Sequence, residues 1–170
     1  MADRVRCAWA EGHPLLTVYH DEEYGFPIEQ DHEYFERLIL EINQVGLSWL
    51  TVLKKREAFW DAFEGFDVDR VAAYTDKDRT RLLGNAGIIR NRLKINATIH
   101  NAQVFQQLRS EHGSFKAWLD TQPHTTLNEW VKLFRKTFKF TGPEIVNEFL
   151  MSVGRLPIDH DAGCWLNKTV

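Results

Sequence analysis

Apolar residues recur along this chain at spacings of three and four, and strand-like alternation is nearly absent, so the pattern predicts an all-α protein. Residues 1–30 read as an irregular arm, broken by Gly12, Pro14, Gly25 and Pro27, with one short helix around Leu15 to His20. A helix is predicted from Glu33 to Val45, stopped by Gly46. The next starts after Ser48 and runs to Phe63, with Val52, Arg56, Phe59 and Phe63 on one face, the arginine through its aliphatic stem. Asp67 caps a short helix through Val71 and Ala72, and Thr75-Asp76-Lys77-Asp78 is a capping-box start for another that ends near Gly84. A tight turn, Gly84-Asn85-Ala86-Gly87, leads into a long helix from Arg90 to Leu108, with Ile95, Ile99, Ala102 and Gln106 along one side. Ser114 starts a short helix through Trp118, and Thr126 opens one to Lys136. Pro143 begins the last helix, which stops at Gly154 ahead of a loop-like tail.

Composition narrows the class. With 170 residues, 44% hydrophobic and 26% charged, the chain can bury a substantial core, so disorder is excluded and a single domain over residues 1–170 is expected. No apolar run approaches the roughly 18 residues that span a membrane. The segment Met1-Ala2-Asp3-Arg4-Val5-Arg6-Cys7 has no long apolar stretch, so a cytoplasmic location is expected rather than secretion. A net charge of −3 argues against an overall basic coat, but a nucleic-acid face needs only local charge. Basic residues gather at Lys54-Lys55-Arg56, at Arg90, Arg92 and Lys94, and at Lys132, Arg135, Lys136 and Lys139. Each cluster reads either as a phosphate-facing patch or as a solvated helix face.

Three constellations carry chemistry. The first is Cys7 and His20 on the arm with His160 and Cys164 in the tail. Two thiolates and two imidazoles make a tetrahedral zinc set, closed and structural because every position is filled. The same residues also read as ordinary histidines and buried thiols, or as a disulfide between the cysteines, a weak reading in a reducing compartment. The second is Glu41, which follows Tyr34 and Leu38 and precedes Val45 on one helical stripe. A buried carboxylate there needs a partner, a wet cavity or a shifted pKa. With Trp49 able to reach back toward it, the residue suits a planar cationic or hydrogen-bonding ligand; an arginine salt bridge in the core is the alternative. The third is the hairpin Thr80–Arg92, where backbone N–H groups around Gly87 and the side chains of Arg90, Arg92 and Lys94 could hold phosphates.

Taken together, these stretches resemble the 3-methyladenine DNA glycosylase I family. The resemblance is carried by Arg6-Cys7-Ala8-Trp9, by Tyr19-His20-Asp21-Glu22-Glu23-Tyr24-Gly25 and by the block Gln44 to Arg56 with Gly46-Leu47-Ser48-Trp49. It continues through Ala86 to Arg92, Phe138-Lys139-Phe140-Thr141-Gly142, and Asp159-His160 with Cys164, nearly the whole chain. The resemblance implies a helix-hairpin-helix DNA glycosylase fold in which zinc, on Cys7, His20, His160 and Cys164, ties the N-terminal arm to the C-terminal tail. It implies a base pocket of Glu41, Tyr19 and Trp49 with Trp9 nearby. Glu41 would read the alkylated adenine edge, and Gly46-Leu47 would wedge the duplex where the base leaves.

The implied activity is hydrolysis of the N-glycosidic bond of 3-methyladenine in damaged double-stranded DNA, without strand cleavage, by a monomer. The chain departs from the family pattern at Leu16 and Tyr24, where aromatic residues are expected, the second a tryptophan. It also has a shorter stretch between His124 and Phe138 and lacks an Asn before Asp159-His160. A zinc-stabilised DNA-binding module that has lost catalysis is the competing class, separated by release of free 3-methyladenine.

Overall fold

Every residue from Tyr34 to Asn43 is buried, the charged Glu36, Arg37 and Glu41 included, which marks their helix as the one the rest of the molecule surrounds. The computed structural model describes residues 3–123 and 126–168, so Met1, Ala2 and His124 of the sequence reading lie outside the described residues. Among these the chain forms α1 (Pro14–Glu22), α2 (Asp31–Gln44), α3 (Trp49–Lys54), α4 (Arg56–Ala62) and α5 (Val68–Ala72). There follow α6 (Asp76–Leu83), α7 (Arg92–His112), α8 (Phe115–Asp120), α9 (Leu127–Thr137) and α10 (Pro143–Ser152). Short 3-10 turns stand at Ala8–Ala10 and Glu64–Phe66, and the described residues contain no strand. Side-chain caps from Ser48, Asp67, Asn91, Ser114 and Thr126 start α3, α5, α7, α8 and α9, each worth about 1 kcal/mol.

Helix α2 packs against α3, α5, α7, α8 and α10, while α5 lies along α7 and α9 pairs with α10. Aromatic rings fill the space between them. Phe105 and Phe115 stack with centroids 4.3 Å apart, beside Trp118, Phe134, Phe138 and Phe149. Phe59, Phe63, Phe66 and Tyr74 form a second stack. Phe35 on α2 touches both groups, through Phe66 and Phe105, and so joins them into one core.

Four local expectations change. The helix predicted from Ser48 to Phe63 is two helices, broken at Lys55 (φ −97°, ψ −1°), and just past the break the Arg56 guanidinium pairs with Glu36 at 2.7 Å and Glu23 at 2.8 Å. The long helix begins at Arg92, after an Asn91 cap, and runs on to His112, so Arg90 precedes it. On that helix Phe105 is buried while Gln106 reaches out to Asp69 at 2.8 Å. Val45 leaves the helical stripe: it ends α2 with ψ 116° and is 48% exposed.

Lys94 also departs from its expected place in the basic hairpin. It is buried, and its ammonium donates to the Asn43 carbonyl at 3.1 Å and the Val45 carbonyl at 2.9 Å. It therefore satisfies carbonyls left open at the end of α2 and opposes the negative end of the helix dipole.

Arm and tail meet beside α1. Trp165 N–H donates to the Val5 carbonyl at 2.9 Å, Ala8 N–H to Asp161 at 2.7 Å, and Arg6 Nε to Asp21 at 2.8 Å. The end of α10 also touches the arm, at Gly154. Its φ is +75°, and an added Cβ would stand 2.9 Å from the Gly25 carbonyl oxygen, so only glycine fits.

Candidate active site

Helices α1, α2, α3 and α10 enclose a cavity of about 420 Å³. Glu41, Tyr19, Trp49 and Trp9, the four residues expected around a planar ligand, all line it. Glu41 projects from the last turns of α2 and is 4% exposed. Burial pushes its carboxyl up to about 8, the charge of Glu148 pushes the same way, and Arg37 opposes. Among the described residues Glu41 makes no salt bridge: the Arg37 guanidinium donates to the Ser152 carbonyl at 2.9 Å and to Glu23 at 3.4 Å.

Tyr19 is buried on α1 and Trp49 opens α3, with ring centroids 5.1 Å apart and planes at 56°. The Tyr19 hydroxyl and the Trp49 indole N–H are buried without a hydrogen-bond partner among the described residues. Buried polar groups are nearly always paired, so two orphans beside an unpaired carboxylate mark a site shaped for a polar guest. Trp9, 40% exposed, stands edge-on to Tyr24 at 5.4 Å and forms the rim.

Leu16 and Tyr24, two departures from the family pattern, also line the cavity, and so does Glu148 of α10, which no sequence motif marks. Tyr24 Oη donates to Glu148 Oε2 at 3.4 Å, and burial raises the pKa of this second carboxyl too. The only signal in the sequence was position: Glu148 falls on α10 between the buried pairs Ile145-Val146 and Phe149-Leu150.

The four metal-type residues gather as expected from their chemistry. The ligand atoms of Cys7, His20, His160 and Cys164 all lie within 4.8 Å of one another. Cys7 Sγ is 3.3 Å from His160 Nδ1, and Cys164 Sγ is 3.4 Å from His20 Nε2. Both cysteines are free, so the disulfide reading falls. Asp21 takes the other nitrogen of His20, with Nδ1 to Oδ1 at 2.8 Å, and is itself held by Arg6 and Trp165. This leaves His20 Nε2 for the cluster. The group can bind a metal ion, and its two sulfurs and two nitrogens suit a borderline-soft one.

The turn after α2 lies at one edge of the pocket. Gly46 takes φ +82°, and Leu47 beside it is 40% exposed. Arg90 and Arg92 are exposed, and neither makes an ion pair among the described residues. Gly87 is less open than expected: its N–H donates to Asn85 Oδ1 at 2.9 Å, and a Cβ there would meet Ala58 at 3.0 Å. Lys132, Arg135, Lys136 and Lys139 are exposed on α9 and the loop to α10. Asn101 of α7 clamps that loop through both the N–H and the carbonyl of Lys139. Arg92 and Lys139 thus share one polar recess with Arg79 and His100. A larger, apolar cavity of about 600 Å³ between Val45, Phe138, Phe140 and Ile145 adjoins this face.

The sequence profile described as methyladenine glycosylase matches residues 9–135. DNA-3-methyladenine glycosylase 1 of Escherichia coli (strain K12) is 39% identical over 178 residues, covering 94% of this chain and 95% of the relative. A crystal structure of a 3-methyladenine DNA glycosylase I superposes with a TM-score of 0.85 at 38% identity, covering 95% of this chain and 99% of the other. The Staphylococcus aureus enzyme, whose structure addresses 3-methyladenine recognition, superposes with a TM-score of 0.81 at 31% identity, covering 94% and 93%.

Proposed function

The chain belongs to the methyladenine glycosylase family, and from that premise we infer that it is a DNA-3-methyladenine glycosylase, hydrolysing the N-glycosidic bond of 3-methyladenine in alkylated DNA. The observation that carries the reading is Glu41, a buried carboxylate without a salt bridge among the described residues, in a cavity walled by Tyr19 and Trp49. Methylation at N3 gives the attached base a positive charge, so it is already a good leaving group. The enzyme's tasks are to extrude the nucleotide, orient it and stabilise an electron-poor sugar while water adds to C1′. Glu41 accepts hydrogen bonds from the exocyclic amino edge of the base, and Tyr19 and Trp49 wall its faces with Trp9 at the rim. No lysine among the described residues lines the cavity, which supports hydrolysis over a Schiff-base route.

Leu47, lifted on the Gly46 turn, is the wedge that fills the gap left by the extruded base. Arg90 and Arg92, with the turn around Gly87, hold the phosphate backbone. The α9–α10 hairpin extends that grip, because Lys139 shares a recess with Arg92 and the first turn of α10 offers free N–H groups. Together these two hairpins form the DNA face of a helix-hairpin-helix glycosylase.

Zinc is the ion proposed for Cys7, His20, His160 and Cys164, since the donor set and its spacing fit a tetrahedral shell. Four protein ligands leave no place for a reactive water, so the ion would serve to join arm and tail. One chain supplies the whole pocket and the whole cluster, which supports a single domain over residues 1–170 acting as a monomer. Titration with free 3-methyladenine tests the pocket: quenching of Trp9 and Trp49 fluorescence is expected in the native protein and not in Glu41→Gln. Equal quenching in both would remove Glu41 from the base-reading role.

A further inference from the structure

Two acids share the base pocket. Helix α10 packs on α2, and this brings Glu148 to the same cavity as Glu41. No lysine or arginine among the described residues lines that cavity. Arg37, whose field reaches Glu41, is already engaged by the Ser152 carbonyl and Glu23. Glu148 is partly buried and held by the Tyr24 hydroxyl, whose ring rests edge-on against Trp9. Its carboxylate is therefore part of the wall.

Two like charges near each other in a partly desolvated cavity repel; burial raises both carboxyls here, and at Glu41 the charge of Glu148 adds to it. A neutral guest does nothing to relieve this. A cationic guest relieves it at both residues. Shape and hydrogen bonding separate 3-methyladenine from adenine by one methyl group, whereas charge separates the attached, methylated base from every normal base.

We propose that Glu148 is a specificity-determining residue, whose carboxylate supplies the second negative charge by which the pocket selects a positively charged extruded base over a neutral one. The proposal rests on the base-pocket reading above. As the glycosidic bond breaks, positive charge leaves the base for the sugar. Glu148 accordingly acts on binding of the cation more than on bond cleavage, which distinguishes it from a residue needed for the chemical step.

The test uses the full chain as purified, with two probes at pH 8 read by tryptophan fluorescence: 3,9-dimethyladeninium, a fixed cation, and 3-methyladenine, which is neutral. The native protein should prefer the cation. Glu148→Gln should weaken the cation by about tenfold and the neutral base by less than about twofold, the expected size for one partly screened charge. Single-turnover excision at saturating enzyme should fall by less than the affinity for the cation does. Should Glu148→Gln fail to fold, Glu148→Asp against Glu148→Asn compares charged with neutral at equal size. Equal losses on both probes, or no loss on the cation, would overturn the assignment while leaving the pocket intact. Failure of the native protein to bind either probe would overturn the pocket reading and this one with it.

Discussion

At Glu41 the fold keeps a carboxyl that burial has pushed from 4.5 up to about 8. Between those pH values the unfolded chain has released a proton that the folded chain retains. The stability contributed by this group is thus present below about 4.5 and is lost as pH rises through about 8. Glu41→Gln removes that dependence. The variant should match the native protein in Tm near pH 5 and exceed it near pH 8.5, by about 4–8 °C if roughly 2 kcal/mol is relieved. Thermal melts across pH check this, and a variant less stable than native at pH 8.5 would show that Glu41 has a structural partner after all. The residue was legible because Tyr34 and Leu38 set the phase of its helix. Glu148 was not, because no spacing within α10 says that this helix will lie against α2.

Among the elements, the caps read true at Ser48, Asp67, Ser114 and Thr126, since each acts on its own helix. The break at Lys55 has no signal in the local spacing, and the partners of Arg56 beside it, Glu23 and Glu36, lie far off on the arm and on α2. Lys94 was misread because its partners are distant in sequence, at the end of α2. That contact yields a prediction. Lys94→Met keeps the stem but strands two carbonyls next to the Gly46-Leu47 turn, costing about 1–3 kcal/mol. Its excision on duplex DNA should fall further than its folded fraction, measured by circular dichroism beside activity. Arg90→Glu should weaken damaged and undamaged duplex alike and lower the slope of affinity against salt by about one or more. Leu47→Ala should instead spare binding of free 3-methyladenine and reduce excision from duplex. An Arg90→Glu protein with native duplex affinity would place the phosphate grip elsewhere, with the α9–α10 hairpin as the remaining candidate.

At the scale of the whole molecule, the two ends meet at one cluster. Cys7 and His20 come from the arm, His160 and Cys164 from the tail, and the pocket residues Trp9 and Tyr19 sit between the first two in sequence. Metal held there would therefore order the pocket rim as well as the termini. One zinc per chain is expected by metal analysis. Cys164→Ser should lose it and lower Tm by on the order of 10 °C, a loss of a few kcal/mol. A folded, active protein without metal would remove zinc from the account. This chain is expected to free an alkylated adenine through Glu41, and excision from methylated duplex DNA measures that step itself. Native protein should release free 3-methyladenine and leave the strand uncut, while folded Glu41→Gln should lose at least about 1–3 kcal/mol of transition-state stabilisation, on the order of tenfold to a hundredfold in rate. Native-level release by a folded Glu41→Gln protein, or no release by the native protein, would contradict it.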